Sequence, residues 1–97
     1  MPRPSRLSES DITARLAALP GWAREGESIT RTFTFAGFPH AVAFIERLVA
    51  PAEKLEHHPD VDLRYNRVIV TLSTHDQAGL TSADFTLAAL VDGAIEP

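Results

Sequence analysis

The stretch Val61-Asp62-Leu63-Arg64-Tyr65-Asn66-Arg67-Val68-Ile69-Val70-Thr71-Leu72 decides the fold class. Val61, Leu63 and Tyr65 alternate with polar residues, the period of a strand with one buried face. Asn66-Arg67 reads as a short turn. Val68, Val70 and Leu72 then face one way, and Ile69, Thr71 and Ser73 face the other. β-Branched residues at period two on both sides of a turn predict a hairpin, and hence antiparallel pairing.

A second hairpin is predicted upstream. Trp22-Ala23-Arg24 begins an extended stretch and Glu25-Gly26-Glu27-Ser28 reads as a turn. Ile29, Arg31, Phe33 and Phe35 share one side of the next strand, with Thr30, Thr32 and Thr34 on the other. Arg31 on the apolar side points to a place near a sheet edge. Three helices fill the remaining chain. Ser8 caps the first, with Asp11 three residues on as an imperfect capping box. Ile12, Leu16 and Leu19 line one face of it, and Pro20-Gly21 stops it. Phe38-Pro39 opens the second, since proline suits a first helical turn. Its stripe is Ala41, Ile45, Leu48, Ala52 and Leu55, with Phe44 flanking. Pro51 lies inside the stripe and should kink the helix by removing a backbone hydrogen bond. Pro59 disfavours helical backbone at His58, so this helix should end near His57. Thr81 caps the last helix, with Asp84 at its third position and Phe85, Leu87, Ala88 and Val91 on its apolar side. The order α-β-β-α-β-β-α predicts an α+β fold: a four-stranded antiparallel sheet with three helices packed on one face. One domain is expected over residues 1–97, with 1–6 as a flexible basic arm.

Composition narrows the function. Of 97 residues, 44% are hydrophobic and 23% charged, ordinary for a globular chain. No apolar run approaches the roughly 20 residues of a membrane span. The N-terminus lacks a signal-like apolar region, so cytoplasmic residence is the default expectation. With no cysteine, disulfides and thiolate metal sites are excluded. A net charge of −4 without a Lys/Arg cluster argues against nucleic acid as a partner. The second helix carries more apolar surface than one sheet face uses, which predicts a homo-oligomer.

The chemistry is expected around His57, His58 and His75, with the carboxylates Glu53 and Asp84. Histidine, with an unperturbed pKa of roughly 6.5, can both take and give a proton near neutrality. Glu53 and His57 are four apart on a helix, so the carboxylate could hydrogen-bond the imidazole and fix its tautomer. His58 sits in the extended exit and points elsewhere. If the helix end and the fourth strand's end meet at one sheet edge, the three imidazoles converge. Asp84 could then orient His75, and Thr74 with the loop amides could hold a polar ligand edge. Each residue also has a plainer reading: a solvated His57-His58 cap, a surface His75, a capping Asp84, a solvated Glu53. There is no HExxH and no regular ligand spacing, which disfavours zinc. His40 reads as structural or exposed, and Trp22 as a lid on the core. Spacing alone leaves the reaction undetermined.

The pattern Glu53-x-x-x-His57-His58-Pro59, then Tyr65, His75 and Asp84, resembles the signature of the pterin-4a-carbinolamine dehydratases. Pro20-Gly21-Trp22, Ile29-x-Arg31-x-Phe33-x-Phe35-x-x-Phe38, Ala52-Glu53-Lys54-Leu55 and Ser73-Thr74-His75 with Ala78-Gly79-Leu80 extend the likeness from Leu7 to Asp92. The resemblance implies a pterin substrate and dehydration of a 4a-hydroxytetrahydropterin to the quinonoid dihydropterin, recycling the pterin of aromatic amino-acid hydroxylases. It implies no metal and no organic cofactor. His57 and His75 would be the main proton carriers and His58 would help bind the pterin. Glu53 and Asp84 would support them. Glu56, His57, His58, Ser73, Thr74, His75 and Asp76 would line the ligand, with Trp22 covering one side. It also implies a homodimer or homotetramer through the second helix and sheet edges. Dehydratase-like domains that act as dimerisation cofactors or assembly chaperones make a non-catalytic interaction module, with a protein partner, the alternative.

Overall fold

In the computed structural model, which describes residues 5–95, the strands are β1 (Ala23–Glu25), β2 (Ser28–Thr34), β3 (Asp60–Arg64) and β4 (Arg67–Leu72). They form one antiparallel sheet in the order β1-β2-β4-β3. Both predicted hairpins are present, and they join through their second strands, from Ile29 opposite Leu72 to Thr34 opposite Arg67. Most of the predicted basic arm, residues 1–4, lies outside the described residues; Arg6 pairs with Glu27.

The β3-β4 turn falls one residue earlier than the alternation predicts. Tyr65 leaves the strand for a left-handed conformation (φ 54°) and is 70% exposed. Asn66 explains the shift. Its side-chain amide donates to the Phe35 carbonyl at 2.9 Å, and its own carbonyl accepts the Phe35 N–H at 2.9 Å. The turn is thereby fixed to the chain leaving β2.

Three helices pack on one face: α1 (Glu9–Ala17), a second helix broken into α2 (Phe38–Arg47) and α3 (Val49–Leu55), and α4 (Ser82–Gly93). Ile29, Phe33, Val68, Val70 and Leu72 are buried beneath them. Phe44 sits 4.8 Å from Phe33 and 5.0 Å from Phe35, ring centre to ring centre. Burying each such large side chain stabilises the fold by about 1.5–3 kcal/mol. The other face keeps its threonines, with Thr30 and Thr71 in hydrogen-bond contact across β2 and β4.

Arg31 is not at an edge. It lies on central β2, stacks 4.6 Å over the Phe33 ring and pairs with Asp92 of α4 at 2.7 Å. Its charge is accommodated on the apolar side because the guanidinium has both a π face and a carboxylate.

The helix break occurs three residues before the proline. Pro51 has no N–H to offer the carbonyl of Arg47 four residues back, and α2 ends at Arg47. Leu48 N–H turns to the Ile45 carbonyl at 3.0 Å, and the helix restarts with Pro51 in the first turn of α3, where no donor is missed. At its other end, Glu56 adopts a left-handed conformation (φ 51°, ψ 42°). Glu56 N–H bonds to Glu53 O at 3.2 Å and His57 N–H to Ala52 O at 3.1 Å. This closes the helix in the manner usual for glycine and costs about 1 kcal/mol or more for a residue with a side chain.

Candidate active site

The reversal at Glu56 sends the two adjacent histidines to different environments. His57 turns inward and is 6% exposed. Its Nε2 lies 2.6 Å from Oδ1 of Asp84, which is fully buried. The second oxygen of Asp84 accepts the Thr74 hydroxyl at 2.7 Å and the Thr81 backbone N–H at 2.9 Å. The latter bond is half of a capping box, so one carboxylate both starts α4 and holds an imidazole.

As a carboxylate, Asp84 can only accept, so His57 must donate through Nε2–H. His57 Nδ1 then carries the free lone pair of the neutral ring. No buried side-chain nitrogen or oxygen among the described residues lacks a hydrogen-bond partner. Nδ1, which has none, is therefore the atom through which His57 reaches solvent.

His58 turns outward. Its Nε2 lies 2.5 Å from Oε2 of Glu53, with both side chains about two-thirds exposed. His75 enters from the other side, on a single 3-10 turn (His75–Gln77) that follows β4. The turn is closed by the Thr74–Gly79 bridge and by Ala78 in left-handed conformation. His75 is exposed, with Asp60 of β3 3.9 Å away. Glu56, His57, His58, Ser73, His75 and Asp76 together line an open cleft of about 270 Å³. The three imidazoles do converge where the helix end meets the strand end.

The pairings within the cleft differ from those the spacing predicts. Glu53 engages His58 and not His57, because α3 ends at Leu55 and the four-residue helical spacing no longer applies at His57. Asp84 orients His57 and not His75. Thr74 presents nothing to a ligand: it is fully buried, with its hydroxyl between Asp84 and Thr81. Trp22 does not cover the cleft. It packs edge-on against Phe33 and donates its indole N–H to Asp92 at 2.9 Å. Asp92 lies eight residues along α4 from Asp84, about 12 Å at 1.5 Å per residue. His40 is exposed, beside a groove at the start of α2. Spacing passed over Thr81 as a partner of the site; its signal was the Thr81-x-x-Asp84 cap itself. No group of three or more His, Asp or Glu among the described residues is arranged to hold a metal ion.

Residues 5–94 match the family model described as pterin 4 alpha carbinolamine dehydratase. The chain belongs to the pterin-4a-carbinolamine dehydratase family. It is 52% identical over 87 residues to a Chloroflexus aurantiacus protein named "Putative pterin-4-alpha-carbinolamine dehydratase", covering 90% of this chain and 94% of that one. A Thermosynechococcus vestitus protein of the same name is 50% identical over 86 residues, 89% of this chain and 90% of that one. Among solved structures, a transcriptional coactivator/pterin dehydratase from Brucella melitensis superposes with a TM-score of 0.90 at 40% identity, over 95% of this chain and all of that one. A pterin dehydratase-like protein identified as a RuBisCO assembly factor in the alpha-carboxysome shares the fold, with a TM-score of 0.63 at 24% identity over 76% of this chain and 86% of that one.

Proposed function

We propose that the cleft dehydrates a 4a-hydroxytetrahydropterin to the quinonoid dihydropterin and water. The observation that carries this reading is the convergence of His57, His58 and His75 on one cleft, with His57 anchored from behind by a buried carboxylate. The reaction breaks a carbon–oxygen bond and removes a proton from the neighbouring ring nitrogen. His75 protonates the departing hydroxyl, which leaves as water. His57 takes the ring-nitrogen proton at Nδ1, and the two imidazoles are reset by exchange with solvent. No electrons are gained or lost, so two positioned acid/base groups suffice. Such catalysis contributes about 10²–10⁴-fold, before any gain from proximity. His58 lines the open cleft, suited to ordering the ring of the pterin, and Glu53 holds it from outside the lining. Glu56, Ser73 and Asp76 complete the wall.

The test is a stopped assay on enzymatically generated 4a-hydroxytetrahydropterin, with no added metal or cofactor. His57→Ala and His75→Ala should each lower kcat about a hundredfold. Wild-type rates in both folded variants would reject these roles.

A protein-binding role has its own support. Val49 is 59% exposed and Phe38 48%, both on the broken second helix, and Val61 on edge strand β3 is 39% exposed. This surface suits a homodimer or homotetramer, or a protein partner, in the cytoplasm. Val49→Asp should shift the sedimentation coefficient to that of a monomer. An unchanged value would remove the second helix from the interface.

A further inference from the structure

We propose that Thr81 and Thr74 form a one-way hydrogen-bond chain that orients the Asp84 carboxylate and, through it, holds the tautomer of His57, which makes both threonines positioning residues for the cleft. Thr74, Thr81 and Asp84 are all fully buried, so water does not compete for their bonds. Thr74 Oγ1 is 2.7 Å from Asp84 Oδ2 and 2.8 Å from Thr81 Oγ1. A hydroxyl has a single proton to donate. Since the carboxylate only accepts, Thr74 must spend its proton on Asp84. The contact between the two hydroxyls must then be donated by Thr81. Thr81 Oγ1 in turn accepts the Ala83 backbone N–H at 3.2 Å, from the first turn of α4. The order of donation therefore runs from the α4 backbone through Thr81 and Thr74 to Asp84.

The chain ends by leaving one demand at the far oxygen. With Oδ2 occupied by two donors, Oδ1 is left to take the N–H of His57. A neutral imidazole that donates at Nε2 is bare at Nδ1, the atom that opens on the cleft. Without the Thr74 proton, the carboxylate loses one of its two ties on Oδ2 and is less restrained about its terminal bond. Terminal carboxylate torsions are broad, so its plane would then rest on the Thr81 N–H and the His57 N–H alone. The backbone N–H of Thr81 would remain as the single tie on Oδ2. This inference supplies a positioning mechanism for the proposed dehydration and rests on that reading for its kinetic consequence. Its structural consequence is independent of turnover.

The experiment is nitrogen-15 NMR of the histidine side chains in wild type, Thr74→Val and Thr74→Ser, with kcat and KM measured on the same samples. Wild-type His57 should show the Nε2–H tautomer alone. Thr74→Val, close in shape but without the hydroxyl, should show a mixed tautomer pattern. Its kcat should fall about tenfold or more with KM within a few-fold, as expected for lost orientation. Thr74→Ser should restore both. An Nδ1–H tautomer in wild type overturns the proposal with no variant needed. So does a Thr74→Val protein that keeps the single Nε2–H pattern. Absence of turnover in wild type, with the tautomer results as described, would sink the dehydratase reading and leave the threonine chain standing.

Discussion

The two histidine–carboxylate pairs start from adjacent histidines and are similar in length, 2.6 Å for His57–Asp84 and 2.5 Å for His58–Glu53. Their surroundings are opposite. The first pair is 7% and 0% exposed, the second 63% and 68%. Asp84 has three donors and no access to water; Glu53 can exchange its partner for solvent at any moment. The distance between heavy atoms thus says little about what a pair contributes. Burial decides, because an exposed pair is screened and entropically costly to hold, while a buried partner cannot be replaced.

The sharpest way to break the comparison is to remove each carboxylate. Asp84→Ala strands three buried donors and removes a helix cap, and should cost about 3–5 kcal/mol in urea unfolding. Glu53→Ala should cost less than about 1 kcal/mol. Equal losses would mean that burial is not the distinction. A gentler change reads activity in place of stability. Asp84→Asn keeps the shape but turns one acceptor into a donor, which must face either His57 or the Thr74–Thr81 side. Its kcat should fall about a hundredfold, with Glu53→Gln staying within several-fold of wild type.

The Arg31–Asp92 pair sits between the two extremes, at 28% and 26% exposure. Asp92 also receives the Trp22 indole N–H. Asp92→Asn should therefore cost about 1–2 kcal/mol by thermal or urea unfolding, more than Glu53 and less than Asp84. The smallest effect belongs to Glu9, whose carboxylate takes a two-pronged bond from Arg24 at 2.6 and 3.0 Å. The hydrogen bond from Arg24, and then its charge, hold Glu9 below its ordinary value of 4.5. A depressed carboxyl stabilises the folded state above pH 4.5 and loses that contribution as pH falls through the folded-state value. Glu9→Gln should thus lower the melting temperature slightly at pH 7. The gap should close as the solution is acidified; a gap that widens in acid would contradict the sign.

The fold was legible in the sequence where period and punctuation agree. The alternation in Ile29 to Phe35 and Val68 to Leu72 predicted strand and facing alike, and the Ser8 and Thr81 caps marked helix starts. It slipped where a tertiary contact overrides the pattern, as when Asn66 takes hold of Phe35 and pulls Tyr65 into the turn. The three histidines of the candidate site were legible as a cluster, but their carboxylate partners and the part of Thr81 were not. Helical spacing joined Glu53 to His57 on the premise that the helix continues. A left-handed Glu56 ends it first, and that torsion is unmarked because the residue is not glycine. Trp22 beside Pro20-Gly21 carries no signal for which side of the core it will occupy.

The double duty of Asp84 also joins the site to the motion of a helix end. The first turn of a helix is ordinarily where it frays. Here that turn cannot open without releasing His57, since the same carboxylate secures both. Hydrogen exchange at the amides of Ala83 and Asp84 is consequently a gauge of the cleft. A ligand that grips His57 from the solvent side should slow exchange there, at a place it never touches.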